Sequence, residues 1–515
     1  MNLKRLVQGF GAAILLMILQ IWPQLTSYHA VIYHSFLPMQ SVIWGLLIDL
    51  GVLSLLGALL FTWLGKKETG WRTAIWAFVA AELASAAISA LAAMHRAPIP
   101  YLRPDIAYDV TLVGALAFRW LRPSEFRLAV RGMGVLLLLL GCSMVWMLPK
   151  LLYQGLRKQR IDVREIADQP ALVSNTGSHA SDGRRIVWLL FDELSYDQTF
   201  DHRFPGLDLP AFDRFKSKSV VFSNVQPAGY YTERVIPSLF LGKPVDNMYS
   251  SLDGEPMIRF AGGSHWQAFD ANNTLFADAQ RLGWTTGVVG WYNPYCRILD
   301  RTLNYCFWRM GDVQSDSGAL PHQSALRNAV APLIEVVRGY EHKPSFIEQK
   351  HAEDLAVLMP KAVALIRDSS ISFVFIHLPI PHPPSIFNRK QNGKSGSYID
   401  NLALTDRSLA ELMSALSSTP AAANTTVIVC SDHSWRVAMW KATWTKEDAL
   451  ASGGRFDPRP VLMIHLPGQQ AGQVVSQPFD EIRIHGIIER MLRGQDPGLD
   501  KALLAGADLP AAANP

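Results

Sequence analysis

The sequence predicts two architectures in one chain: an N-terminal bundle of four to five transmembrane helices, then an α/β domain with a central, mainly parallel sheet. Three observations predict this. The chain has 515 residues, more than one compact core usually takes. Hydrophobic residues make up 49% and charged residues 18%. That average is too apolar for an ordinary soluble protein and too polar for a chain that is membrane throughout. The apolar excess lies almost entirely before Leu151, and beyond it short apolar runs alternate with helical patterns.

The same composition excludes several classes. An apolar content this high can bury a core, so wholesale disorder is excluded. A formal net charge of +4 without a long Lys/Arg run gives no nucleic-acid surface. Four cysteines exclude a disulfide-dense scaffold but allow a single bridge.

Four apolar runs can reach or approach the ~20 residues that span a bilayer as a helix. They are Leu6–Leu25, Ser41–Leu64, Ala74–Met94 and Arg131–Leu148, with a weaker fifth, Ile106–Trp120, that carries Asp109 and Arg119. The first is preceded by Lys4 and Arg5 and resembles a signal peptide, but further runs follow at once, so a retained helix is expected. Asp49, Glu82 and Asp109 are costly in lipid and are expected to face the bundle interior. With Lys4 and Arg5 inside, loop Thr26–Gln40 carries no Lys or Arg, and the next loop has Lys66, Lys67 and Arg72. Five spans put all that follows outside; four put it in the cytoplasm, and the charge rule alone leaves both open.

The expected organisation is a transmembrane helical domain at 1–153, a polar linker at 154–185, an α/β domain at 186–508 and a disordered tail at 509–515. In the α/β domain, Ile186–Phe191, Thr286–Val289, Ile371–Ile376, Thr426–Cys430 and Val461–His465 read as buried strands, with helices over Asp354–Arg367 and Ile399–Leu416 between them.

Ligands of open α/β sheets bind beyond the carboxyl ends of the strands, and polar clusters stand at four such places. The first strand ends in Asp192-Glu193, adjacent carboxylates that a divalent cation would neutralise or that would cap a helix. Thr232, in Gly229–Gly242, puts a hydroxyl at a helix start, where anions also bind; a simple cap is the alternative. His377 and His382 follow a strand in a loop of four prolines that would hold the imidazoles. Asp432-His433 follows another strand and suits a metal. Trp291 either lines a substrate groove or packs, and Arg234 either pairs with an anion or lies on a solvated face. Cys296 and Cys306, in a loop-like stretch, are a disulfide candidate that would require an oxidising compartment; two free thiols are the alternative.

In this order the motifs resemble the alkaline phosphatase/sulfatase superfamily over roughly Arg185–Arg493. The closer resemblance is to its membrane-anchored branch of lipoteichoic acid synthases and phosphoethanolamine and phosphoglycerol transferases. FDELSYD is similar to the family's first-strand metal motif, Thr232–Gly242 to the nucleophile segment, His377–Pro384 to the His-x-Pro loop, Ser431–Ser434 to Ser-Asp-His-Gly, and 459–468 to the late strand ending in Pro-Gly. The departures are a threonine where sulfatases carry the Cys or Ser that becomes formylglycine, Ile236 where an arginine is expected, and Ser434 in place of glycine.

The resemblance implies one divalent metal ion, Zn or Mn with Mg or Ca as alternatives, on Asp192 and/or Glu193, Thr232, Asp432 and His433. It implies Thr232 as nucleophile, with His382 ahead of His377 as acid/base or phosphate ligand. The implied reaction takes a headgroup from a membrane phospholipid to an envelope glycan or lipid, on the periplasmic or extracellular side of a bacterial-type inner membrane. A sulfuric-ester or phosphodiester hydrolase and a non-catalytic membrane scaffold are the competing readings.

Overall fold

The structure, a computed structural model, describes residues 3–17, 21, 39–64, 70–94, 104–156, 183–250, 255–309, 324–326, 328–330, 344–390, 396–441, 444–497 and 499. The chain divides into two compact units. One takes in Met1–Val163, Ser250–Gly254 and Val313–Lys343; the other takes in Arg164–Tyr249, Glu255–Asp312 and Pro344–Pro515. Most of the expected linker, and the tail at 509–515, lie outside the described residues.

The first unit is helical: α1 (Leu3–Leu16), α2 (Met39–Leu64), α3 (Gly70–Met94), α4 (Pro104–Leu121), α5 (Pro123–Cys142) and α6 (Met144–Leu156). All five apolar runs of the sequence fall on these helices, although α1 ends before the end of its run. Glycines bring α1 against two neighbours. A Cβ on Gly9 would lie 2.2 Å from the Ser54 carbonyl of α2, and one on Gly141 of α5 would lie 2.0 Å from the Val7 carbonyl. Close backbone approach through small residues is how helices pack where lipid removes the hydrophobic drive. Two helical stretches among the described residues are long and apolar enough to cross a membrane by length and composition, Gln40–Leu64 and Pro123–Leu156. Asp49 is fully buried and Glu82 is half-buried. Asp109 is exposed, against expectation, on a helix that among the described residues packs against α3 and α5.

The second unit is built on an eight-stranded sheet. Its strands are β1 (Arg185–Phe191), β2 (Val220–Phe222), β3 (Thr286–Trp291), β4 (Tyr305–Arg309), β5 (Phe373–Leu378), β6 (Thr425–Cys430), β7 (Leu462–His465) and β8 (Gln473–Val475), in the order β8-β2-β7-β6-β1-β5-β3-β4. From β6 to β4 all neighbours are parallel; β7 runs antiparallel to both β6 and β2. All five expected strands are present. Cys306 lies on β4 rather than in a loop, and Arg185 opens β1 rather than closing a linker.

β1 shows why its apolar run is continuous. Val187, Leu189 and Phe191 enter one core with the helices α8 (Pro344–Arg367) and α9 (Tyr398–Ser417). Trp188 points to the other face, 6.0 Å from the ring of Phe240 on α7 (Thr232–Leu241). A strand covered on both faces has no polar side to alternate with. Arg185 is buried, and its guanidinium donates to the carbonyls of Leu365, Ile366, Asp368 and Ile371 at 2.7–3.1 Å. It thereby satisfies carbonyls that the end of α8 leaves open.

Candidate active site

The site gathers at the carboxyl ends of β1, β5 and β6 and at the start of α7. Asp192 follows β1 directly, Asp432 and His433 follow β6, and Thr232 is the first residue of α7. The helix ends on Gly242 in the left-handed conformation, φ 64°, where a Cβ would meet the His485 ring at 2.6 Å. That double requirement accounts for the glycine closing the segment.

Thr232 Oγ1 donates to Asp432 Oδ2 at 2.7 Å and lies 3.3 Å from Asp192 Oδ2 and 3.5 Å from His433 Nε2. Asp192, Asp432 and His433 each offer a ligand atom within 4.8 Å of the others, and all three are buried. His433 Nδ1 lies 3.1 Å from the Ser434 carbonyl and donates to it, which leaves Nε2, 3.1 Å from Asp432 Oδ2, to donate to that carboxylate when the ring is charged or to serve as a ligand atom when a metal is bound. Asp192 Oδ1 is buried and has no hydrogen-bond partner among the described residues. This set of two carboxylate oxygens, one imidazole nitrogen and a nearby hydroxyl fits a divalent ion such as Zn or Mn.

The electrostatics give the same result. Burial, then the neighbouring Asp432, pushes the Asp192 carboxyl well above its usual range. Burial would also raise Asp432, but the adjacent His433 outweighs it and holds that carboxyl below its usual range. Burial would lower His433, but Asp432 raises it above its usual value. One imidazolium cannot neutralise two buried carboxylates, so Asp192 is left to a proton or a metal.

Glu193 is a correction. The sequence offered both acids to the metal, but only Asp192 reaches the cluster. Glu193 sits in the left-handed region at φ 63°, and its carboxylate accepts from Arg436 Nε and, at 3.0 Å to each oxygen, from Trp440 Nε1. The turn between adjacent residues at the strand end aims the two carboxylates at different partners.

His377 is a second correction. Its side chain is fully buried, with Nδ1 2.6 Å from the Tyr295 hydroxyl and Nε2 3.3 Å from Asp192 Oδ2. Both nitrogens are occupied, so the ring orients Asp192 rather than taking a substrate group, and burial lowers it to about 4. Trp291 resolves to packing. It is 2% exposed, its Nε1 donates to Asp354, and its ring stacks on His351 and meets His382 edge-on. Arg234 lies over the Tyr231 ring at 4.7 Å, and its Nε is buried with no hydrogen-bond partner among the described residues.

His382 is buried in the proline loop, and Asn401 of α9 pins that loop by donating to the carbonyls of His382 and Pro384 at 3.1 and 3.2 Å. Cys296 and Cys306 are joined in a disulfide. Ser434 has ordinary backbone geometry, so no glycine is required after Asp-His. Sequence reasoning missed Arg436, Trp440, Asn401 and Tyr295, whereas Asn293, which with Trp291 stood as a possible groove residue, donates from Nδ2 to the Thr232 carbonyl at 3.3 Å. None of the four has a motif of its own; Arg436 lies three residues past Asp-His, and that proximity is the one signal the sequence offers for it.

The sequence model of the sulfatase family, described as Sulfatase, matches residues 184–484. The chain belongs to the sulfatase family. Members act on sulfate or phosphate esters and depend on a metal, and the Asp-Asp-His cluster is a group that can hold one. Solved structures similar to this sulfatase-family chain include the PsFucS1 sulfatase from Pseudoalteromonas sp., at 17% identity over 62% of this chain and 69% of that one, TM-score 0.41. The lipoteichoic acid synthase LtaP from Listeria monocytogenes matches at 11% identity over 62% and 74%, TM-score 0.39. The phosphonate monoester hydrolase of Agrobacterium radiobacter matches at 14% identity over 60% and 74%, TM-score 0.36. No curated protein sequence matches the chain.

Proposed function

We propose that this sulfatase-family protein is a membrane-anchored transferase. It takes a phospholipid headgroup, phosphoethanolamine or phosphoglycerol, through a phospho-threonine intermediate on Thr232 to an envelope glycan or lipid. One observation carries the reading: the hydroxyl in contact with Asp192, Asp432 and His433 belongs to a threonine at the N-terminus of a helix. A threonine cannot supply the formylglycine aldehyde of sulfate-ester hydrolysis, but its alkoxide can attack phosphorus.

Asp192, Asp432 and His433, with Thr232, would hold a divalent ion, which would supply positive charge favouring the alkoxide and the anionic oxygens on phosphorus. Thr232 Oγ1, already donating to Asp432, forms a bond to phosphorus as the bond to the diacylglycerol oxygen breaks, and that oxygen takes up a proton. The acceptor hydroxyl then attacks the same phosphorus, loses its proton, and Thr232 leaves as its alcohol. His377 holds Asp192 through both half-reactions, and His382 is the imidazole available to the phosphoryl group. Arg234 is the cation proposed for the headgroup phosphate.

The apolar helices keep the enzyme beside its lipid donor, and the disulfide supports an oxidising compartment. Five spans in a bacterial-type inner membrane, with the catalytic domain on the periplasmic or extracellular side, meet both conditions. The test is purified full-length protein with headgroup-labelled phospholipid, with and without envelope glycans. Label moving to glycan or lipid in wild type and lost in Thr232→Ala supports transfer. Release to water alone makes the enzyme a hydrolase, and turnover by Thr232→Ala overturns the nucleophile assignment.

A further inference from the structure

Three residues beside the metal-ligand cluster, Glu193, Arg436 and Trp440, have no part in the reading so far, and they surround His382. Glu193 and Arg436 form a buried ion pair, with the glutamate side chain fully inaccessible. Each of the three guanidinium nitrogens of Arg436 is engaged: Nε with Glu193, Nη1 with the Tyr230 carbonyl at 3.3 Å, and Nη2 with His382 Nε2 at 3.2 Å. Trp440 donates to both oxygens of Glu193 and stands edge-on to the His382 ring at 5.0 Å.

The chemistry of this contact fixes a proton. A guanidinium has only donors, so the imidazole nitrogen facing it must accept. His382 Nε2 is therefore unprotonated, and the neutral ring carries its hydrogen on Nδ1. That Nδ1 is buried and has no hydrogen-bond partner among the described residues. Buried donors are normally satisfied, and one that is not marks a place for a missing acceptor.

We propose that Arg436, held by Glu193, is a positioning residue that locks His382 as the Nδ1–H tautomer, leaving that single N–H as a donor for an anionic oxygen of the substrate. The proposal rests on the phosphoryl-transfer reading for the identity of that oxygen, but not for the tautomer. Three features of the fold support it. Glu193 occupies a backbone region unusual for a residue with a side chain, and unusual backbone held in place concentrates at functional sites. That turn is secured from both sides, the Tyr398 hydroxyl donating to the Glu193 carbonyl at 2.7 Å and the Glu193 amide donating to Asp432 Oδ1 at 3.2 Å. Trp291 and His351 wall the His382 ring at 5.2 and 5.9 Å, so it cannot swing to exchange its nitrogens.

The charged and titratable groups acting on His382 are Arg436, His351, His433 and Asp432. Burial and then Arg436 hold the ring well below the usual histidine range, so it stays neutral from mildly acid to mildly alkaline pH. A neutral donor shares a hydrogen bond with phosphate throughout this range, whereas a ring titrating near its ordinary value would switch between base and cation.

The test uses full-length, zinc-loaded protein in detergent with 15N-labelled histidine, the His382 signal being assigned by its loss in His382→Gln. Long-range proton–nitrogen spectra are expected to show His382 protonated on Nδ1 and not titrating between pH 5.5 and 8. A proton on Nε2, or titration in that range, overturns the proposal without any variant. The informative variant is Glu193→Gln/Arg436→Met, which leaves no lone buried charge and so keeps the fold. There His382 is expected to populate both tautomers and titrate, and headgroup release is expected to fall at least ten-fold in kcat, with a new inflection in its pH profile. An unchanged tautomer and profile in a folded double variant assigns Arg436 a purely structural role and overturns the proposal. If wild type turns over no phospholipid, the tautomer result still decides this inference and only the function reading falls.

Discussion

Replacing Asp192 by Asn should make the protein more stable without metal and less stable with it. The ligand atoms of Asp192, Asp432 and His433 lie within 4.8 Å of one another in a buried pocket. Keeping both carboxylates charged at that distance and an effective dielectric of ~20 costs about 3.5 kcal/mol, and without metal Asp192 either bears that repulsion or takes up a proton well above its usual range. The side-chain amide of Asp192→Asn would remove this repulsion yet still accept the hydrogen bond from His377, so the metal-free variant should gain roughly 2 kcal/mol at neutral pH. The gain should shrink as pH falls, because protonating Asp192, whose folded value is raised, relieves the same repulsion in wild type. Metal at 100 times its Kd adds about 2.7 kcal/mol to wild type, whereas a variant binding about 100-fold more weakly keeps only about 0.4 kcal/mol. The order of stabilities therefore inverts on adding metal. Thermal melts of the full-length protein in detergent, with chelator and with added Mn2+ or Zn2+, read this as shifts of about 2–4 °C per kcal/mol. A metal-free Asp192→Asn protein less stable than wild type, or equal metal-induced shifts in both, would refute the reasoning.

Two further predictions concern the scaffold. Burial lowers His351 to about 4, so below pH 6.5 the unfolded chain takes up a proton that the folded protein refuses. Stability should fall by up to roughly 3 kcal/mol between pH 6.5 and 4, and His351→Phe should flatten that slope in denaturant titrations; an unchanged slope contradicts it. Arg185→Met removes four hydrogen bonds to carbonyls at and beyond the end of α8. It should cost at least about 3 kcal/mol in urea unfolding, and a loss under 1 kcal/mol would show those carbonyls to be satisfied otherwise.

The central strands were legible because each is buried on both faces and reads as an unbroken apolar run. β2 and the edge strand β8, three residues each, are too short to carry any period. The helical character of the first unit was legible for the same reason as the strands, while the exposure of Asp109 was not, because composition does not say which face of a helix its neighbours cover. At the site, Asp192, Thr232, Asp432 and His433 were readable as strand-end and helix-start residues, since position along the chain fixes where those termini go. What composition could not supply was direction. Glu193 is adjacent to Asp192 yet turns to Arg436, and His377 spends both nitrogens inside the protein; each depends on a torsion angle or a partner more than 50 residues away.

The most direct test of the account is whether Thr232 becomes covalently modified. Wild-type protein incubated with labelled phospholipid and no acceptor, quenched in acid and mapped by peptide mass spectrometry, should carry the headgroup phosphodiester on Thr232, and the adduct should disappear when acceptor is added. Headgroup release with Thr232 unmodified at every time point, or an adduct on another residue, would contradict it.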